Sequence, residues 1–121
     1  MEHRASQAEH ARLVSVIAGT LVQRGETDVK AAAPGYRPPT PIRWRGDEKG
    51  HVPDVTAHGL VIEVETADLI GAPATAARWQ LTAGYAERID AAFIVVVPKA
   101  AVPSAESALA ALRLDAQVIG A

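Results

Sequence analysis

The spacing of apolar residues changes along the chain from a helical period to an extended one and back. Over residues 6–24, Leu13 and Ile17 belong to an apolar stripe at helical spacing, which predicts an amphipathic helix. Ser6, followed by Glu9 three positions later, fits a capping box at the start of that helix. Further helices are predicted at 76–88 and 104–112, the last of them capped by Ser104.

Extended patterns separate these helices. Strands are predicted at 27–33, 52–57, 60–65 and 93–97; residues 42–45 form either a short strand or the end of a loop, and residues 116–119 either a final strand or a packed tail. His58-Gly59 is expected to form the turn between the 52–57 and 60–65 strands, because Gly adopts positive φ at no steric cost. Residues 51–66 are therefore expected to form a β-hairpin.

The order of these elements predicts how the sheet is connected. The run from Phe93 to Val97 is apolar and mostly β-branched, as in a strand buried on both faces. A strand-helix-strand passage from Leu60 to Val97 should be a right-handed crossover with parallel strands. The 60–65 strand then lies inside the sheet. We expect residues 1–121 to form a single α/β domain, with a mixed central sheet flanked by helices.

Composition narrows the classes of function. The 121 residues are 49 % hydrophobic, which is typical of a globular chain, and the formal net charge of −2 gives no general electrostatic attraction to nucleic acid. The sequence has no cysteine, so disulfides and thiolate metal sites are excluded. No apolar run reaches membrane-spanning length and the N-terminus lacks a signal-peptide core, so a cytoplasmic protein without membrane contact is expected.

Acidic residues concentrate on the central hairpin. Side chains alternate along a strand, so Glu63 and Glu65 share one face, and Asp54 on the partner strand converges on it. Carboxylates roughly 6–7 Å apart repel by about 2–3 kcal/mol at an effective dielectric near 20. Pairing with Lys30 or Arg78 would relieve that cost and leave a purely structural strand. Binding of Mg²⁺ or Mn²⁺, which prefer oxygen ligands, would also relieve it.

The same residues resemble a family motif. A Pro-Asp pair ending at Asp54, eight intervening residues and Glu63-Val64-Glu65 are similar to the motif of the PD-(D/E)XK phosphodiesterase superfamily, which includes restriction endonucleases and archaeal Holliday-junction resolvases. The core of that superfamily is helix, three-strand meander, helix, strand, the order predicted here over residues 6–98. The resemblance implies a restriction-endonuclease-like fold, a homodimer and a nuclease acting on DNA. It also implies that Asp54, Glu63 and the Val64 carbonyl hold Mg²⁺ or Mn²⁺.

One motif position departs from the family. The superfamily usually has Lys where this chain has Glu65, and a carboxylate cannot supply the positive charge of that Lys. Some restriction enzymes of the superfamily carry Glu there, so Glu65 remains a catalytic candidate, as a base or as a ligand to a second metal. Lys30 or Lys99 could take over the missing role. The resemblance also marks Glu9 as a further acid and Gln80 as an accessory residue.

Two other groups of side chains are candidates for binding. The segment around Tyr36 and Trp44 is locally basic, which suits phosphate contacts and base stacking, although a solvated loop explains the same residues. The candidate nucleic-acid contacts are Arg37, Arg43, Arg45 and Lys49. His51 and His58 flank Asp54, where either could bind a metal or accept a proton, or lie in a turn or in solvent.

Three functional hypotheses follow. The leading one is a metal-dependent nuclease with catalytic residues Asp54, Glu63 and Glu65. The second is a non-catalytic protein of the same fold that acts in nucleic-acid or protein binding, which Glu65 and the acidic net charge favour. The third is a structural domain whose carboxylates are paired with Arg.

Overall fold

The computed structural model describes residues 2–43 and 50–121, with side chains from residue 6 onward. Within these ranges the α-helices are α1 (Glu2–Gln23), α2 (Pro73–Arg88) and α3 (Val102–Leu112). The strands are β1 (Lys30–Ala31), β2 (Val55–Ala57), β3 (Leu60–Val64), β4 (Ala92–Val97) and β5 (Gln117–Gly120). Single 3-10 turns lie at Ala67–Leu69 and Lys99–Ala101.

The five described strands form one mixed sheet in the order β1-β2-β3-β4-β5. The pairs β1-β2 and β2-β3 are antiparallel, whereas β3-β4 and β4-β5 are parallel. The predicted parallel crossover is therefore confirmed, and so is the interior position of β3. The chain is a single α/β domain with a mixed sheet, as its sequence predicts.

Each face of the sheet is covered by helices, which gives two apolar layers. Alternate residues of β3 and β4 pack against α1 on one face and against α2 and α3 on the other. The α1 layer includes Leu13, Val14, Ala18, Ile62, Val64, Ile94 and Val96. The opposite layer includes Val61, Phe93, Val95, Val97, Trp79, Ala86, Ala105 and Leu109.

Two predicted helix caps are wrong. Helix α1 begins at Glu2, so Ser6 lies inside it, and the Ser6 hydroxyl donates to Asp68 Oδ2 at 2.9 Å instead of capping the helix. Ser104 likewise lies inside α3, which begins at Val102 with a proline in its first turn. Proline suits that position because its fixed φ is helical and its missing N–H has no helical partner there.

The strands before the hairpin are shorter than the apolar pattern predicts. The predicted 27–33 strand is reduced to the two residues of β1. In the 42–45 segment, Ile42 forms an isolated bridge with His51 through two 2.7 Å backbone hydrogen bonds. The end of that segment lies outside the described residues. No helix of the described chain is long and apolar enough to cross a membrane.

The α1 layer makes a first prediction about stability. Leu13 is 1 % exposed against the sheet, whereas Val16 on the same helix is 47 % exposed. Leu13→Ala should lower the free energy of unfolding by about 2–5 kcal/mol, because it removes buried methyl groups and leaves a cavity. Val16→Ala is the matched control and should stay within about 0.5 kcal/mol of the wild type. Urea unfolding followed by circular dichroism measures both, and equal effects would contradict this packing.

Candidate functional site

The acidic residues of the hairpin line a cleft at the carboxyl end of β3. The cleft has a volume of about 320 Å³ and lies where the α1 and α2 layers meet at the end of the sheet. Carboxylates and basic side chains of the described chain face each other across it: Asp54, Glu63, Glu65 and Asp68 with His10, His51 and Arg78. The convergence of the three acids predicted from the hairpin is therefore present.

Asp54 is positioned by the point at which β2 and β3 separate. Val55 and Ile62 form the last pair of the β2-β3 ladder, so Pro53 and Asp54 lie just before the paired residues of β2. Proline has no N–H to continue the ladder. The Val64 N–H donates instead to Asp54 Oδ2 at 2.8 Å. The other carboxylate oxygen, Oδ1, lies 3.0 Å from His10 Nε2.

Glu63 is the most deeply buried acid of the cleft, with 1 % of its surface exposed. Its Oε1 lies 2.6 Å from His51 Nε2 and accepts a hydrogen bond from the Thr82 hydroxyl at 3.0 Å. Burial raises the pKa of Glu63 to about 7, although the hydrogen bonds from His51 and Thr82 lower it and the charge of Asp54 raises it. The hydrogen bond to Glu63 raises the pKa of His51 in turn. This pair therefore holds protons more tightly than either group would in water.

Glu65 forms an ion pair with Arg78. The Arg78 Nη2 atom lies 3.2 Å and 3.4 Å from the two Glu65 oxygens and donates to the Thr75 hydroxyl at 3.0 Å. Burial raises the pKa of Glu65, and the charge of Arg78 opposes that rise. Arg78 is thus the basic partner that the sequence offered as one way to relieve the acidic strand. Lys30 was the other predicted partner, but its Nζ atom lies 3.9 Å from Asp28 Oδ2 instead.

His10 is the main site residue that sequence reasoning missed. The family resemblance pointed to Glu9, but Glu9 does not line the cleft and its neighbour His10 does. The hydrogen bond to Asp54 raises the pKa of His10, and the charges of Asp54 and the nearby glutamates add to that rise. The helical spacing of the sequence did indicate that His10 faces the sheet. His10 precedes Leu13 and Val14 by three and four residues, so it continues the buried stripe of α1.

Asp68 also lay outside the sequence prediction. It accepts hydrogen bonds from the hydroxyls of Thr66 and Ser6, which tie the 3-10 turn after β3 to helix α1. These contacts fix one wall of the cleft. The position of Asp68 depends on the turn, which no motif in the sequence marks.

Several predicted accessory residues lie elsewhere. Gln80 is exposed and lines a separate groove beside Arg113. His58 is exposed in the hairpin turn, where its backbone N–H donates to Thr27 O. Lys30 lines a groove next to His58, and Lys99 does not line the cleft.

The predicted nucleic-acid contacts are only partly described. Arg37 and Arg43 are exposed, and neither lines the acidic cleft. Arg45 and Lys49 lie outside the described residues, as does Trp44. The basic segment therefore presents at least two guanidinium-bearing residues at the surface.

The carboxylates of the cleft are of the kind that a hard divalent cation prefers, because Mg²⁺ and Mn²⁺ favour oxygen ligands, whereas Val64, the third predicted ligand, is not among the residues that line it. Asp54 and Glu63 each direct an oxygen at a histidine. Within the described ranges, no three His, Asp or Glu side chains converge on one point suited to a metal ion. Cation binding would therefore require these carboxylates to turn away from His10 and His51.

Comparisons with known proteins add no assignment. No protein-family model matches the chain, and neither the curated proteins nor the solved structures include a significantly similar one.

The buried acid predicts how stability depends on pH. The pKa of Glu63 is about 7 in the folded protein against an ordinary 4.5, so the folded state binds more protons between these values. The contribution of Glu63 to the free energy of unfolding should be greatest below about pH 4.5. It should fall by about 3 kcal/mol as the pH rises through about 7. The raised pKa values of His10 and His51 act in the same direction at higher pH. Urea unfolding in EDTA from pH 5 to 8 measures the fall.

Glu63→Gln should flatten this pH dependence, because the amide cannot titrate and His51 loses its carboxylate partner. Glu106→Gln, on the exposed side of α3, is the matched control and should follow the wild type. An unchanged pH slope in Glu63→Gln would show that the buried acid does not hold the proton.

Proposed function

We propose that this domain is a metal-dependent nuclease of the PD-(D/E)XK type with a restriction-endonuclease-like fold. The order α1, β1-β2-β3 meander, α2, β4 supports the proposal, because it is the core order of that superfamily. DNA as the substrate and a homodimer as the assembly are carried over from the same resemblance.

The observation that carries the proposal is that Asp54 and Glu63 line the same cleft. Asp54 lies directly before β2, and Glu63 lies on β3, the strand that pairs with β2 as far as Val55 and Ile62. The Asp54 side chain also accepts the backbone N–H of Val64, the residue after Glu63, so both acids lie at the same end of the hairpin. A buried carboxylate such as that of Glu63 is costly unless something neutralises it.

One of these ligands is held by the backbone, because the Val64 N–H donates to Asp54 Oδ2. Glu63 Oε1, which bonds both His51 and Thr82, would have to turn toward the cation, and the Val64 carbonyl is the third candidate ligand. A bound Mg²⁺ or Mn²⁺ supplies Lewis acidity, which lowers the pKa of the attacking water and polarises the scissile phosphate. Arg37 and Arg43, together with Arg45 and Lys49, are the proposed contacts to the nucleic-acid backbone.

A second candidate is a non-catalytic protein of the same fold. The observation that favours it is the internal pairing of the acids, since His10, His51 and Arg78 each lie within hydrogen-bond distance of one carboxylate. In that case the cluster is a polar network that shapes a binding surface, and it needs no cation.

Cleavage with an Asp54 variant tests the proposal. Asp54→Asn is preferred to Ala because the amide oxygen can still accept the Val64 N–H while the charge is removed. We expect the wild type to nick supercoiled plasmid or cleave single-stranded DNA in Mn²⁺ or Mg²⁺, and Asp54→Asn to lose at least about 100-fold of that rate. Asp115→Asn, an exposed residue outside the cleft, is the matched control.

Either result separates the two candidates. Metal-dependent cleavage that Asp54→Asn alone abolishes supports the nuclease. Equal background cleavage in all three proteins, together with unchanged oligonucleotide binding by Asp54→Asn, supports the non-catalytic protein.

Cation binding is expected to be visible in stability. A ligand that binds only the folded state adds about 2.7 kcal/mol at a concentration of 100 times its Kd. Mn²⁺ should therefore raise the thermal midpoint of the wild type at pH 8, where Glu63 is mostly charged. Asp54→Asn and Glu63→Gln should lose the shift, and Glu106→Gln should keep it. A shift of equal size in all four proteins would place the cation elsewhere.

A further inference from the structure

We propose that Arg78 is the group that supplies positive charge to the scissile phosphate, and that Glu65 positions it. This inference rests on the proposed nuclease function, and it assigns Glu65 a role other than base or metal ligand. It accounts for the absence of Lys at the third motif position, because a guanidinium from α2 lies against the side chain that replaces it.

Arg78 occupies a distinctive place in the cleft. It is the one Lys or Arg among the described residues that line it, and four carboxylates line the same space. A phosphodiester carries a negative charge, so its approach to this cleft requires a positive group besides any bound cation. The planar guanidinium of an arginine matches the geometry of a phosphate group and can supply that charge.

The guanidinium of Arg78 is held through one nitrogen, and its other nitrogens have N–H groups that remain available as donors. Glu65 and Thr75 accept hydrogen bonds from the same nitrogen, Nη2. A guanidinium carries five N–H donors, and no described residue accepts one from Nη1 or Nε. The side chain of Arg78 is 33 % exposed, so these donors are accessible to a ligand. A planar fork held in this way suits two oxygens of one phosphate.

Glu65, the partner of Arg78, is buried and contacts the guanidinium with both carboxylate oxygens. The Glu65 side chain is 3 % exposed, and both of its oxygens lie within 3.4 Å of Arg78 Nη2. A buried carboxylate committed to a guanidinium is poorly placed to accept a proton from water or to hold a second cation. Glu65 is therefore a positioning residue, and Arg78 is the group that contacts the substrate.

Chemical rescue of an Arg78 variant tests the contact. Arg78→Ala should lower kcat by about 10²–10³-fold, as the loss of one preorganised charge-stabilising donor does. Dilute guanidinium chloride should restore activity in a saturable way, whereas urea, its neutral analogue, should not. Arg88→Ala is the matched control, since Arg88 lies on the same helix over the Tyr85 ring and outside the cleft. Loss of activity that guanidinium cannot restore in a folded variant would overturn the inference.

A double-mutant cycle tests the role of Glu65. Glu65→Gln should lower kcat, and in the Arg78→Ala background it should cost nothing further, because the two residues act as one unit. The affinity of the Glu65→Gln variant for Mn²⁺, measured by electron paramagnetic resonance, should stay close to the wild-type value. The Asp54→Asn variant should lose Mn²⁺ binding. A loss of Mn²⁺ affinity in Glu65→Gln as large as that of Asp54→Asn would make Glu65 a metal ligand and overturn its positioning role.

Failure of the proposed function is distinguishable from failure of this inference. If the wild type cleaves and Arg78→Ala cleaves equally well, the nuclease stands and the inference falls. If the wild type does not cleave, the proposed nuclease function is contradicted. Binding of a single-stranded oligonucleotide in Ca²⁺, measured by fluorescence anisotropy, then tests the contact between Arg78 and a phosphate directly. Weaker binding by Arg78→Ala than by Arg88→Ala then supports a phosphate contact, and equal binding overturns it.

Discussion

The burial of two glutamates at the carboxyl end of β3, the middle strand of the sheet, is the constraint on which the rest of the site depends. Glu63 and Glu65 are 1 % and 2 % exposed. A carboxylate removed from water is strongly destabilising unless it is hydrogen-bonded, paired with a cation or protonated. The fold supplies a different partner for each, a histidine for Glu63 and an arginine for Glu65. Any function of the cleft has to work through these two partnerships.

The sheet creates the space for them by ending its antiparallel half early. The ladder between β2 and β3 ends at Val55 and Ile62, and beyond it the Asp54 side chain accepts a hydrogen bond from the Val64 N–H. Pro53 has no N–H with which to extend the ladder. Helices α1 and α2 cover opposite faces of the sheet, and both contribute to the cleft at this end. Helix α1 contributes His10, and helix α2 contributes Arg78. The carboxyl end of a strand in an α/β sheet is a common place for a ligand site for this reason.

Under the proposed function, the same contacts divide the chemistry between two halves of the cleft. Asp54 and Glu63 would hold the cation on one side, and Arg78 with Glu65 would provide a fixed positive charge on the other. His10 and His51 would compete with the cation for the carboxylates, because each is bonded to one of them. Protonation and cation binding are then alternative ways of neutralising one cluster, which couples the stability of the domain to the occupancy of the site.

The sequence by itself determined the order of elements, the hairpin around Gly59 and the interior place of its second strand, although the first strand of that hairpin begins at Val55 and not at residue 52. These follow from local periodicity, the Gly59 turn and the apolar run after Phe93, which act within a few residues. Alternation along the strand also determined that Glu63 and Glu65 share a face, and the turn geometry brought Asp54 to it.

Only the tertiary structure decided which side chains meet those acids. His10 comes from a helix more than forty residues away, and Arg78 was one of two basic residues that the sequence offered to Glu65. The choice depends on where α1 and α2 cross the sheet, which is set by packing of the apolar layers and leaves no mark in the motif. Local patterns fix the strand and its acids, whereas the partners that make those acids tolerable are fixed by long-range packing.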